Sequence, residues 1–240
     1  MSSAKLTPAP AQARERRRPQ GGPPPGVLAV VFTALFLAGL VIGTVMAGGT
    51  AYPSPYGPSA DVLGYVRNHQ DALRVAGALQ FGVAIPLGIY AATMSARLNR
   101  LGIRAPGATI ALSGGVLAAA FLACSGLVSW VLSRPELPAE PGVVRALHFL
   151  AFATGGPGHV VPLGLLVAGI AVPGLLAGLL PRGLAFTGLA IAAVAELSTL
   201  ALLVDEAAYL LPVARFTGLA WLIAAGFLLP QRRPRNRAES

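Results

Sequence analysis

Charge is missing from this chain in long blocks. Residues 27–47, 75–95 and 105–133 carry no ionised side chain, and 146–181 is an uncharged run of 36 residues. Two more apolar blocks hold a single ionised group each, Glu196 within 183–204 and Arg215 within 207–230. A helix needs about 20 apolar residues to cross a hydrocarbon core of about 30 Å. The pattern therefore predicts an all-α, polytopic transmembrane helix bundle of six crossings. Composition closes off the alternatives. With 55% hydrophobic and 11% charged residues, too few charges exist to cover a soluble surface. The net charge of +9 sits in tails and short loops, which argues against nucleic acid as a partner. The single cysteine, Cys124, excludes a disulfide scaffold.

The block 146–181 is too long for one straight crossing. At 1.5 Å per residue it would span about 54 Å. It contains Gly155-Gly156-Pro157-Gly158. Proline removes a helix hydrogen bond and glycine weakens the helix, so a break is expected there. Residues 160–180 then form the core of the crossing. Residues 143–154 become a helical extension on the outer side, or a segment that packs against the bundle.

Orientation follows from arginine, because cytoplasmic loops and tails hold the excess of Lys and Arg. With the N-terminus inside, the inner segments hold 13 of the 18 basic residues. Among them are Arg97, Arg100, Arg104 and Arg182. Arg67, Arg74, Arg134, Arg145 and Arg215 fall in the outer segments and outer helix ends, with six of the nine acids on the outer side. Both termini are thus expected in the cytoplasm, and the first crossing is read as an uncleaved helix. Residues 1–26, with six prolines and Arg14-Glu15-Arg16-Arg17-Arg18, form an expected disordered basic tail that touches lipid headgroups. Residues 27–230 form the transmembrane domain and 231–240 a second basic tail.

Ionisable groups inside a membrane are expensive and mark candidate sites. Glu196 and Arg215 lie ten residues before and nine after the turn at Glu206, so an antiparallel hairpin brings them to one depth. An ion pair is expected from that. Gln80 falls at a similar depth, and His148 and His159 flank the glycine–proline break. Gln80, His148, His159, Glu196 and Arg215 are the candidate pocket. Tyr52, Tyr56, Tyr65, Trp130 and Tyr209 lie near outer helix ends, as a membrane-interface belt would. The loop with Tyr52-Pro53-Ser54-Pro55-Tyr56 is read as a cap on the bundle. No His-x-x-x-His or Glu-x-x-His spacing occurs, so no metal site is expected. No phosphate loop or dinucleotide fingerprint occurs either, so no cofactor and no catalytic residue are assigned.

Asn68-His69-Gln70-Asp71-Ala72-Leu73, Leu211-Pro212-Val213-Ala214-Arg215 and Ala220-Trp221-Leu222-Ile223-Ala224-Ala225-Gly226-Phe227 carry a likeness to a known group. The chain resembles a bacterial family of six-helix integral membrane proteins of unknown function, over residues 27–229. The resemblance implies the architecture and assigns no activity to any residue. Seventeen arginines against one lysine point to a GC-rich bacterial genome, and so to a bacterial cytoplasmic membrane. The leading expectation is a non-enzymatic membrane protein. It binds a small amphiphile or a partner protein in an outer-half polar pocket, with membrane lipids around it. The alternative is a transporter coupled to protons through Glu196 and His159, and the third reading is a membrane-embedded hydrolase.

Overall fold

The computed structural model describes residues 22–231. Most of the expected tails, residues 1–21 and 232–240, lies outside the described residues, but Pro25 and Gly26 of the tail expected over 1–26 belong to the first helix, where both are buried. Eight α-helices follow one another in the described chain: α1 Pro25–Met46, α2 Ser59–Asn68, α3 Gln70–Arg100, α4 Gly107–Leu132, α5 Pro141–Gly155, α6 Pro157–Leu176, α7 Arg182–Leu197 and α8 Leu210–Leu228. Six helical stretches are long and apolar enough to cross a membrane, with α5 and α6 counted together as one and the short turns beside α7 and α8 included. The protein is an all-α, multi-pass helical bundle. Lipid cannot hydrogen-bond a main chain, so each crossing must satisfy its own backbone, which the helix alone does within one segment.

Successive crossings alternate in direction, and hydrogen bonds tie the connections into two ends. At one end Arg145 Nη1 donates to Gly57 O at 3.2 Å, Arg67 Nη2 to Pro138 O at 3.3 Å, and the Tyr56 hydroxyl to Ala201 O at 3.2 Å. We call this the tyrosine end. At the opposite end the buried Arg97 Nη1 donates to Leu229 O at 3.2 Å, closing the last turn of α8.

The sequence reading treats the connection after α1 as one loop, but it contains the helix α2. Val62, Tyr65 and Val66 on α2 are buried with Leu73, Leu132 and Val144. Ten residues give too short a pattern to stand out from a proline-rich loop. The connection between α7 and α8 is also more structured than a simple turn. It holds two 3-10 segments, Ser198–Leu202 and Asp205–Tyr209.

Small residues set the packing, because glycine and alanine let backbones touch. Helix α4 is held between α3 and α6. A Cβ added to Gly77 on α3 would stand 2.7 Å from Gly126 O on α4, and one added to Gly126 would stand 2.7 Å from Gly77 O. On the other side of α4, a Cβ on Gly114 would meet Leu166 N at 2.6 Å. The central core is filled by side chains: Tyr90, Met94, Leu98, Leu122, Leu166 and Ile170 are buried completely or nearly so, and the Tyr90 hydroxyl donates to Leu222 O at 2.9 Å. Val45, Ile85, Leu176, Phe186 and Phe227 are exposed, which is an apolar exterior suited to acyl chains.

The glycine contacts between α3 and α4 leave no room for a methyl group. Gly126→Ala is expected to destabilise the bundle by about 1–3 kcal/mol through overpacking. Gly82→Ala, where a Cβ meets nothing within 4 Å, should be neutral or slightly stabilising. Unfolding in mixed micelles, followed by loss of helical signal, measures both.

Candidate functional site

The site grows from the interruption between α5 and α6. Gly156 has φ −85° and ψ −107°, which is not helical. Pro157 has no N–H, so the carbonyl of Ala153 loses its helical donor. Further on, His159 N–H and Val160 N–H both donate to Gly156 O. That leaves the carbonyl of Gly155 without a main-chain partner. The guanidinium of Arg215, reaching across from α8, donates to it through Nη2. The last carbonyls of a helix carry partial negative charge, so the end of α5 draws the cation in.

Above this bond lies a cavity of about 290 Å³ at the tyrosine end. Gln80 from α3, Ser125 and Ser129 from α4, His148 and Phe152 from α5, and Arg215 from α8 line it. Tyr52, Pro53 and Pro55 of the connection after α1 also line it, so that loop closes over the cavity as a cap. Part of the Tyr52 surface stays exposed. Even so, the protein packed around its phenol disfavours the phenolate, and the Tyr65 phenol adds to this. Its pKa is held above the ordinary value, and the hydroxyl stays protonated. The Tyr52 ring meets the edges of Tyr65 at 5.3 Å and His148 at 5.1 Å between centroids.

Two of the lining groups are polar and poorly satisfied. His148 is 1% exposed. The Pro53 backbone approaches its ring, yet neither ring nitrogen reaches a protein partner at hydrogen-bond geometry. Arg215 Nε is likewise buried without a partner, although its guanidinium lies 5.5 Å from the centroid of the Phe36 ring. Ser125 is settled: its hydroxyl donates to Ala151 O at 2.9 Å.

The structure brings together three of the five sequence candidates, Gln80, His148 and Arg215. His159 is placed elsewhere. It is 2% exposed, lies outside the cavity lining, and its Nδ1 donates to Ala118 O at 2.9 Å on α4. The helix break takes it off the face of His148.

The expected Glu196–Arg215 ion pair does not form, and Glu196 is not part of the cavity. The one ion pair among the described residues joins Arg74 to Asp71. Equal depth fixes height along a hairpin but not direction around each helix. Glu196 is exposed and lies beside Gly164 on α6, whereas Arg215 meets Gly155 at the end of α5. The unwinding at Ser198–Leu202 also breaks the simple hairpin register.

Sequence reasoning passes over Phe152 as a lining residue, reads Ser125 and Ser129 as polar groups in the outer half of their crossing, and places the loop prolines on the cap without assigning them to the lining. Ser129 has a signal, since it lies one turn from Ser125, but the prolines carry none. A second, smaller cavity of about 160 Å³ shares Tyr52, Gln80 and Ser129 with the first. Among the described residues, no three His, Cys, Asp or Glu side chains converge as metal ligands would. No family model, curated protein or solved structure matches the chain.

Gly155 forms the floor of the cavity. A Cβ there would fall on Ser125 Oγ and stand 3.3 Å from Gln80 Nε2. Gly155→Ala should therefore lower stability by about 1–3 kcal/mol, and adding Ser125→Ala should restore part of the loss. Thermal melting of the two variants in detergent gives the comparison.

Proposed function

We propose that this is a non-enzymatic membrane protein that binds a small amphiphile in the cavity at its tyrosine end. We place it in a bacterial cytoplasmic membrane, with the tyrosine end outward, both termini inside and membrane lipids as its immediate partners. The arginine distribution supports the orientation, and seventeen arginines against one lysine support the bacterial assignment.

The observation that carries the reading is that the cavity is one-sided. Gln80, Ser125, Ser129, His148 and Arg215 line the cavity, while Tyr90, Met94, Leu122, Leu166 and Ile170 fill the bundle between it and the opposite end, where Thr93, Ser95 and Arg97 are buried. Mixed lining suits a ligand with a polar head and an apolar body, and pockets of about 300–1,000 Å³ hold such molecules. A transporter needs a path to both faces, and the proton coupling expected through Glu196 loses its partner once that side chain lies outside the cavity. A hydrolase needs a base beside its nucleophile. Ser125 and His159 instead bond to two different carbonyls.

A dodecanol carrying a photoactivatable diazirine tests the reading on full-length protein in nanodiscs. Saturable labelling is expected within residues 47–58 and 145–156. Labelling spread evenly over the exposed faces of α1, α4 and α8 would overturn it. For orientation, Cys124→Ala removes the native thiol. Ser54→Cys on that background should then react with an impermeant maleimide in intact cells, and Asn99→Cys only after permeabilisation.

A further inference from the structure

An ionised guanidinium near the middle of a membrane bundle needs an opposing charge, and Arg215 lacks one. No carboxylate of the described residues lies within ion-pair distance of it. Of its five N–H donors, one is spent on Gly155 O and Nε has no partner. The cavity that it lines contains no acidic side chain. The other polar groups facing the space are neutral or donors: Gln80, Ser129, the Tyr52 hydroxyl and His148, whose ring nitrogens are unpartnered. Such a set opposes a cationic head and suits an anionic one.

The smaller cavity supplies the other half. It runs between α1 and α3, lined by Gly39, Leu40, Gly43 and Thr44 on one side and Ala72, Leu73 and Ala76 on the other. Away from Tyr52, Gln80 and Ser129 its walls are mostly apolar, with Thr44 and Tyr65 the exceptions, and Leu40 is 47% exposed on the surface of α1. The two cavities meet at Tyr52, Gln80 and Ser129. We infer that the two cavities form one site for an anionic amphiphile, with its phosphate or carboxylate head at Arg215 and His148 and its chain between α1 and α3. This rests on the amphiphile reading above and narrows it to a charge and a pose. The shared chemistry is a compact anion on an alkyl chain, which either a bilayer phospholipid or a free single-chain amphiphile supplies.

The test uses the full-length protein in a maltoside micelle, with dodecyl phosphate, dodecanol and inorganic phosphate as titrants and binding read by calorimetry. Dodecyl phosphate should bind on the order of tenfold or more tighter than dodecanol, because charge-assisted contacts to arginine are among the strong ones. Arg215→Gln should erase that ratio, and Arg215→Lys should keep part of it. Equal binding of the phosphate and the alcohol overturns the anionic assignment and leaves the amphiphile reading intact. Binding of neither overturns both. Inorganic phosphate binding as tightly as dodecyl phosphate overturns the chain's role.

Arg215→Gln also disturbs a buried helix contact, so a second variant guards the result. Thr44 is exposed and lines the smaller cavity, so Thr44→Phe fills that space without entering the core. It should shift preference from dodecyl to octyl phosphate and leave the anion preference unchanged. An unaltered chain-length preference overturns the pose. Competition in nanodiscs separates the sources. Displacement of dodecyl phosphate by phosphatidylglycerol, but not by phosphatidylcholine, assigns the site to a bilayer lipid. Displacement by neither assigns it to a free amphiphile.

Discussion

Lipid offers a polypeptide no hydrogen bonds, and each other feature of this bundle is arranged around that fact. Helices absorb nearly all main-chain donors and acceptors, so a place where the helical ladder fails becomes conspicuous. Here the failure is at Gly156, where a glycine with non-helical torsions precedes a proline. The freed carbonyl of Gly155 is taken by Arg215, and the cavity opens beside that contact. The interruption, the buried cation and the cavity are thus parts of one local arrangement.

Close glycine contacts make such an arrangement stable. Gly77 and Gly126 bring α3 and α4 backbone to backbone, and Gly114 does the same for α4 and α6. Helices held this tightly cannot slide to collapse a void at one end. The tyrosine end is instead covered by the connection after α1, which Arg145 and the Tyr56 hydroxyl fasten to the rest.

Much of the fold was legible because it depends on length and charge, which a single sequence displays. The uncharged blocks give the crossings, and Gly155-Gly156-Pro157-Gly158 gives the break. The convergence of Gln80, His148 and Arg215 was legible as well, because depth below a membrane surface follows from counting residues. Direction around a helix axis does not follow from counting. Glu196 shows the difference: its height was readable, but the face it occupies depends on how α7 settles against α6 through Ala192 and Ala195. The chamber between α1 and α3 was hidden for a related reason. Gly39 and Gly43 look like packing residues in sequence, and they do approach Leu79 and Ala76. That they also leave a space depends on the course of the loop bearing Tyr52.

The bond between Arg215 and Gly155 joins a side chain to the main chain. A carboxylate partner could be deleted by a single codon change, leaving the cation stranded. A peptide oxygen cannot be deleted that way, since every amino acid supplies one. What heredity must preserve is the discontinuity that exposes the oxygen, and it is spelled by two small neighbours and an imino acid rather than by an acidic residue. Drift can therefore remake the surroundings of this arginine extensively while its anchor survives.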